Sequence, residues 1–465
     1  MFFLFVLYSL IRNFACEIAI KSQLIMKQKL LLSLFVLFTA TIAWADVEIN
    51  ETNVPDEIFR GFLLEQEYGS DGVLTNADIA GVTSIDVNIK DIQSLKGIEF
   101  FTALTKLCCS ANQLTELDVS KNTALTFLSC SNNQLTELDV SLLSALDTLN
   151  CWANRFTSLD VSKNTALKYL DCSKNQLTSL DVSQNTALTT LNCWENQITS
   201  LDVSKNTALD FLYCNDNQLT SLDVSKNTAL TKLGCSNNQL TSLDVSQNTA
   251  LTILDCCSNP LKVLDVSNNT ALEYLECIDI QLTSLDVSQN TALVYLVPGF
   301  NQLTTLDVSK NTALETLYCT GNQLTSLDVS KNTALTDLSC CLNQITGENM
   351  DALVESLPTV IEGAIWALYY EDEQNVMTAK QAAVAKAKGW QVLVCSGLDD
   401  EGEEIWDEYK GGDGIGEIQN SIFNIQNEAD AIYDLGGCKI NGQWSMINGQ
   451  LPKGLYIVGG RKVLK

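Results

Sequence analysis

Cysteine recurs at positions 109, 130, 151, 172, 193, 214, 235, 256, 277, 319 and 340, a period of 21 interrupted where Pro298 takes the expected place. A row of thiols at fixed spacing could pair as disulfides, hold a soft metal ion, or pack as small apolar groups. Thiols stacked in parallel would lie about one strand spacing apart, ~4.8 Å, further than the ~3.8 Å Cβ separation of a disulfide. Packing is therefore the expected role, since a buried cysteine behaves as a small hydrophobe. Their neighbours Cys108, Cys257 and Cys341 are expected to face outward and to be reactive. Aspartate keeps the same period from Asp118 to Asp328. Carboxylates about 5 Å apart repel by ~0.8 kcal/mol in bulk water, and a calcium row is one answer to that repulsion. The expected answer is an Asx turn, each Asp accepting the N–H two residues on. Lys121, Lys163, Lys205, Lys226, Lys310 and Lys331, each three residues after its Asp, soften the field further.

The composition removes other chemistries. The chain has no histidine, so His-assisted nucleophiles and His metal sites are excluded. Acidic residues outnumber basic ones 56 to 28, for a net charge of −28, which argues against nucleic acid or an anionic membrane as partner. No nucleophile–base pair, phosphate loop or cofactor motif rises above the repeat background. A non-enzymatic protein without a cofactor is the expectation.

These ladders need an element that repeats every 21 residues. Eleven complete repeats run from Leu104 to Ala334 and a twelfth begins at Leu335, each reading L-x-x-L-x-C-x-x-N-x-L-x-x-L-D-V-x-x-N. Leu128, Cys130, Leu135, Leu138 and Val140 face inward in one coil. Ordering 21 backbones costs ~1–2 kcal/mol each, while five or six buried side chains return ~1.5–3 kcal/mol each. One coil cannot fold alone, and stacking is obligatory. Because "LxxLxCxxN" is echoed by "LxxLDVSxN", short strands are expected on both sides of each coil.

This pattern resembles the leucine-rich repeat over residues 82–345, and in particular the internalin-type bacterial proteins, which include a subtype with 21-residue repeats and a free cysteine ladder. The resemblance implies a repeat solenoid: a β-rich leucine-rich repeat horseshoe or arc, with small α or α/β caps and a short β C-terminal tail. It also implies that Asn133 and its copies turn the chain and bond neighbouring coils. So many unpaired thiols in an exported protein suggest a reducing habitat.

The flanks divide as follows. Residues 1–25 read as an upstream extension from a misassigned start, or alternatively as a membrane anchor. Residues 26–45 read as a signal peptide, with Lys27 and Lys29, an apolar run and Ala43-Trp44-Ala45 before a mature start at Asp46. Residues 46–103 form an N-terminal cap, with "PDEIFRGFLLEQE" as a helix, and an introductory repeat. Inside the cap, "EYGSDGVLTNAD" resembles an EF-hand loop, with Glu67, Asp71, Gly72 and Asp78 at ligand or turn places but Gly69 at the third. A plain turn is the expected reading, and Glu67, Asp71 and Asp78 are weak metal candidates. After the repeats (104–345) come a C-terminal cap (346–396), an acidic linker (397–415) and a tail (416–465) of three short strands. The tail resembles type IX secretion sorting tails at Tyr433, Asp434, Leu435, Gly454, Tyr456, Lys462 and Lys465. That resemblance implies routing through outer-membrane secretion machinery to the outer surface of a Gram-negative cell or to the medium.

The ligand surface is expected on the concave face. The column before the ladder Leu reads Lys106, Phe127, Thr148, Tyr169, Thr190, Phe211, Lys232, Ile253, Tyr274, Tyr295, Thr316, Asp337, while the convex columns repeat Ser, Thr, Asn and Lys. Variation confined to one face marks a binding surface, and Trp and Tyr are the residues of binding hot spots. The candidate ligand-binding residues are Phe127, Trp152, Tyr169, Asp171, Trp194, Phe211, Tyr213, Tyr274, Tyr295 and Tyr318. A protein ligand on a host or neighbouring cell is the leading reading. A glycan, which also suits aromatic platforms, is the alternative, and a structural spacer is the reading from another class. The bland account of the rings is that they stack to stabilise the sheet.

Overall fold

The computed structural model describes residues 46–370, 372–399 and 404–409, together with the strands Ile432–Tyr433, Leu455–Val458 and Arg461–Leu464. The expected leader and extension (1–45) lie outside the described residues. So does most of the expected tail, whose three strands pair antiparallel in chain order. The chain divides into two units, Met1–Val82 and Thr83–Lys465. No helix of the described residues is long and apolar enough to cross a membrane.

In the first unit Val47–Glu48 pairs antiparallel with Val73–Leu74. The expected helix forms at Glu57–Glu65 because Asp56 caps it, accepting the N–H groups of Ile58 (3.0 Å) and Phe59 (2.9 Å). Phe59 and Leu63 are buried beneath it. A second short helix, Asn76–Gly81, starts at a capping box in which the Asp78 carboxylate accepts from the N–H (2.9 Å) and hydroxyl (2.6 Å) of Thr75.

The second unit is a β-solenoid of leucine-rich coils. Each coil contributes one three-residue strand, from Lys106–Cys108 to Asp337–Ser339, and these pair in parallel with matched positions opposite one another. The introductory strand Ser84–Asp86 precedes them. Gly363–Leu368 and Trp390–Leu398 extend the sheet in parallel, and Glu404–Glu408 closes it antiparallel. This last strand falls in the stretch expected as an acidic linker; Ile405 and Trp406 give it residues suited to a sheet. Between the last repeat and that edge, Gly347–Ser356 and Ala379–Ala387 are the two expected cap helices.

The second half of each coil carries no strand, contrary to the expectation from its sequence echo. Its backbone is folded into successive tight turns: the N–H of Asn122 bonds Val119 O (3.0 Å) and that of Leu125 bonds Asn122 O (3.0 Å). The Asp side chain drives this geometry, Asp118 accepting the Ser120 N–H at 2.9 Å. The same bond recurs at Asp160, Asp202 and on to Asp328. The Asx-turn reading of the aspartate ladder is therefore correct.

Two asparagine ladders join the coils. Asn133 Nδ2 donates to the carbonyls of Cys109 and Cys130 (both 3.0 Å), and its Oδ1 accepts the N–H of Leu114 (3.0 Å). The turn itself belongs to the preceding residue, which takes a left-handed φ in each coil: Asn132 at 52°, Ala153 at 53°, Glu195 at 55°. The ladder breaks at Ile280, whose backbone carbonyl instead accepts the Lys262 N–H at 2.8 Å. A second ladder supports the turn half. Asn206, fully buried, donates to Val182 O and Asn185 O, both at 2.9 Å. Its Oδ1 has no partner among the described residues.

Substitution at Asn206 tests this second ladder. Asn206→Ala leaves two carbonyls without their donor and should cost ~1–3 kcal/mol in urea unfolding. Asn206→Asp sets a carboxylate against the same carbonyls and should cost more. An Asp variant as stable as wild type would remove the ladder from the account of stability.

Candidate functional site

The cysteine row is core. Cys109, Cys130, Cys151 and their copies through Cys340 are fully buried and free. Burial pushes the Cys130 and Cys319 thiols up to about 12, so they are protonated and unreactive at neutral pH. Cys172 Sγ leans on Asn192 O at 3.6 Å. The expectation for their neighbours divides. Cys257 is partly exposed, whereas Cys108 and Cys341 are buried, at 6% and 2% exposure. The cause at Cys341 is the C-terminal extension of the sheet, since its N–H bonds Trp366 O at 3.1 Å. Burial is the main cause of the raised Cys341 thiol.

The strand positions expected to bind are side by side on one face. Phe127, Tyr169, Phe211 and Tyr295 occupy the first strand position and are half-buried, and Tyr274 is exposed. Tyr213 and Tyr318 occupy the third. Trp152 and Trp194 follow the ladder cysteine and are half-buried. Asp171 is buried, its carboxylate accepting from Ser173 N–H (3.1 Å) and hydroxyl, Tyr169 hydroxyl (3.5 Å) and Asn192 Nδ2 (3.2 Å). It holds its neighbours in place more than it offers charge to solvent.

The rings fall into two sets. Toward the N-terminal end three of them lie under the protein's own lysines: Lys106 Nζ is 5.1 Å from the Phe127 centroid, Lys174 4.8 Å from Trp194, and Lys232 4.8 Å from Phe211. Lys174 also pairs with Glu195 at 3.4 Å. Among the described residues none of these rings touches another ring. Toward the C-terminal end the rings touch in a row, with centroids 5.6 Å apart for Tyr274–Tyr295, 6.1 Å for Tyr295–Tyr318, 5.8 Å for Tyr318–Trp366 and 6.4 Å for Trp366–Trp406. Trp366 and Trp406 belong to the row but were not among the sequence candidates. The available signal was the register: Trp366 pairs with Ser339, continuing the column of Tyr318, and Ser339 is small enough for the two rings to meet across it.

One cluster could hold a metal ion. Among the described residues only Asp255, Cys257 and Glu276 bring three ligand atoms within 4.8 Å of one another. Glu67, Asp71 and Asp78 form no such group. Asp78 is taken up by its helix cap, and Asp71 accepts the Val73 N–H at 3.0 Å. Around the cluster, Asn215 Nδ2 reaches two coils to Asp255 Oδ2 (2.8 Å), and the Ile278 N–H donates to Cys257 Sγ (3.2 Å). Asn215 can lean this way because residue 234 is glycine; a Cβ there would stand 2.4 Å from its Oδ1. Burial, then the Asp255 charge, raises the Glu276 carboxyl above its usual range. Sequence reading missed this cluster because its members come from adjacent coils and belong to no linear motif.

Comparison with known proteins places these features in context. The family described as Leucine Rich repeats (2 copies) matches residues 165–206. Internalin J of Listeria monocytogenes is 40% identical over 73 residues, which are 16% of this chain and 8% of that protein, so the match spans less than a tenth of the relative's length. The functional domain of the Listeria monocytogenes internalin J, a structure that includes a cysteine ladder, is 35% identical; the alignment covers 70% of this chain and 82% of that one, with a TM-score of 0.50. An internalin (InlF) of the same species shares the fold, at 21% identity and a TM-score of 0.58 over 75% of this chain and 98% of that one.

The thiol row predicts an alkaline limit to stability. The folded chain keeps protons on thiols that the unfolded chain releases from about pH 9. The contribution is therefore complete below that pH and is lost as pH rises toward about 12. A Cys130→Ala/Cys151→Ala variant should show a shallower fall between those limits, by about two protons, in denaturant titrations across pH. An unchanged slope would mean that other groups set the alkaline limit.

Proposed function

Because this chain belongs to the internalin-like leucine-rich repeat family, we propose that it is a non-enzymatic recognition protein whose strand face engages a protein partner. The observation that carries this reading is the contrast between two surfaces of one solenoid. The turn half repeats Asp, Val, Ser and Asn almost without change, while the strand positions vary from coil to coil and hold the aromatic residues. A frame that is fixed by its own hydrogen bonds is free to vary only where no bond depends on the side chain, and that freedom is what a binding face uses. Half-buried rings on strands are already held in place, so little side-chain freedom is lost on contact. We further propose that the protein acts outside the cell, at the surface or in the medium, and that residues 416–465 direct its secretion.

Two measurements test this. The wild-type protein and a Trp152→Ala/Trp194→Ala variant are used to capture proteins from host-cell surface extracts. A specific partner, retained by wild type and weakened roughly tenfold or more in the variant, is expected. Equal capture by both would remove the Trp152 and Trp194 part of the strand face from the binding surface, and retention on a sugar array alone would favour a glycan. Mass spectrometry of the protein recovered from medium and cell surface should give an N-terminus at Asp46. An uncut chain found only inside cells would overturn the export proposal.

A further inference from the structure

The strand face divides electrostatically as well as in its ring contacts. Toward the N-terminal end, Lys106, Lys174 and Lys232 already stand over Phe127, Trp194 and Phe211. From Ile253 to Leu342 the strand triplets, and the three residues that follow each, contain no lysine or arginine, but they do contain Asp255, Glu276, Asp279 and Asp337. Along that stretch runs the contacting row Tyr274, Tyr295, Tyr318, Trp366. Among the described residues no cation lies over any of these rings. An aromatic ring carries negative potential on its face, and neighbouring carboxylates deepen it. A cation is attracted to such a site by ~0.5–1 kcal/mol when exposed and by more when desolvated.

The cluster of Asp255 and Glu276 adds a second observation. Desolvation and mutual repulsion already raise the Glu276 carboxyl, and among the described residues no cation pairs with it. The end of the sheet repeats the theme, since Glu404 accepts from both Tyr369 hydroxyl and Trp406 Nε1 (each 3.0 Å). The same architecture thus supplies its own ammonium groups over Phe127, Trp194 and Phe211 and leaves the C-terminal row beside carboxylates.

We infer that the C-terminal half of the strand face, the row Tyr274–Tyr295–Tyr318–Trp366 with Asp255, Glu276 and Asp337, docks an extended polypeptide segment whose lysine or arginine side chains lie over these rings. The spacing supports an extended segment. Alternate residues of a strand project to the same side about 6.5 Å apart, close to the 5.6, 6.1 and 5.8 Å between successive ring centroids. Charge complementarity points the same way, for the chain carries a net −28 and would steer a basic partner toward it. This inference rests on the strand-face reading above and names the chemistry of the partner.

The test uses the full chain and a labelled peptide of alternating lysine and threonine, with an alternating glutamate and threonine peptide beside it, followed by fluorescence anisotropy at low and physiological salt. The lysine peptide should bind and the glutamate peptide should not. Tyr295→Leu and Tyr318→Leu should each weaken binding roughly two- to fivefold. Tyr295→Phe, which keeps the ring, should bind as wild type does, and Glu276→Gln should weaken binding and flatten its salt dependence. Lysine-peptide binding that ignores both Tyr→Leu variants would assign the effect to net charge alone and overturn the inference. So would an absence of lysine-peptide binding at low salt. Either failure, alongside partner capture that depends on Trp152 and Trp194, would remove this inference and leave the strand-face reading standing. Lysine-peptide binding that responds to Tyr295→Leu, with capture indifferent to Trp152 and Trp194, would keep the strand face as the binding surface and confine recognition to its C-terminal half.

Discussion

Every coil of the solenoid leaves backbone donors and acceptors unpaired unless the next coil takes them in register. In the strand half the parallel ladder does this directly. In the turn half the backbone is too tightly folded for a ladder, and asparagine amides span the gap. A buried peptide group without a partner costs as much as a lost hydrogen bond, so the 21-residue period admits little drift. Insertion of a residue would displace the amide, the cysteine and the aspartate together. The near-identity of successive repeats follows from that shared constraint.

The cysteine and aspartate rows are consequences of it. A thiol at 0% exposure in a column of thiols fills a space of fixed size at small cost, because the neighbour above and below offers the same shape. The aspartates sit on the outside of the turn and are held below the usual carboxylate range by the serine two residues on, the backbone N–H leading at Asp202 and the hydroxyl at Asp118. Those bonds stabilise the turn and offset the mutual repulsion of the column at once.

The proposed function uses what the frame does not. The side chains of the strand's first and third positions, and those just after the cysteine, stand outside the two asparagine ladders, and there the sequence varies. The coils that depart from the repeat, with Pro260, Ile280 and Pro298, lie beside Asp255, Cys257, Glu276 and Tyr295. The regular pattern yields where the acidic and aromatic residues gather. At the C-terminal edge the cap extends the same sheet, so that Trp366 and Trp406 lengthen the row of rings begun by the repeats.

The sequence by itself determined the solenoid, its period, the inward residues, the burial of the cysteine ladder, the Asx turns and the three cap elements at Glu57–Glu65, Gly347–Ser356 and Ala379–Ala387. These follow from local spacing and from burial, which a single coil already expresses. Tertiary structure alone decided that "LDVSxN" folds as turns, because an echo of leucines does not reveal that Asp118 and Asn122 bind backbone groups that a strand would need. It decided that Asn132 and not Asn133 takes the left-handed conformation, that Cys108 and Cys341 are covered, and that Glu404–Glu408 is a strand. It also decided which rings meet. Contacts between residues 21 or more positions apart depend on how side chains lean across neighbouring coils, and a small residue such as Ser339 or Gly234 sets that lean without announcing it in the chain.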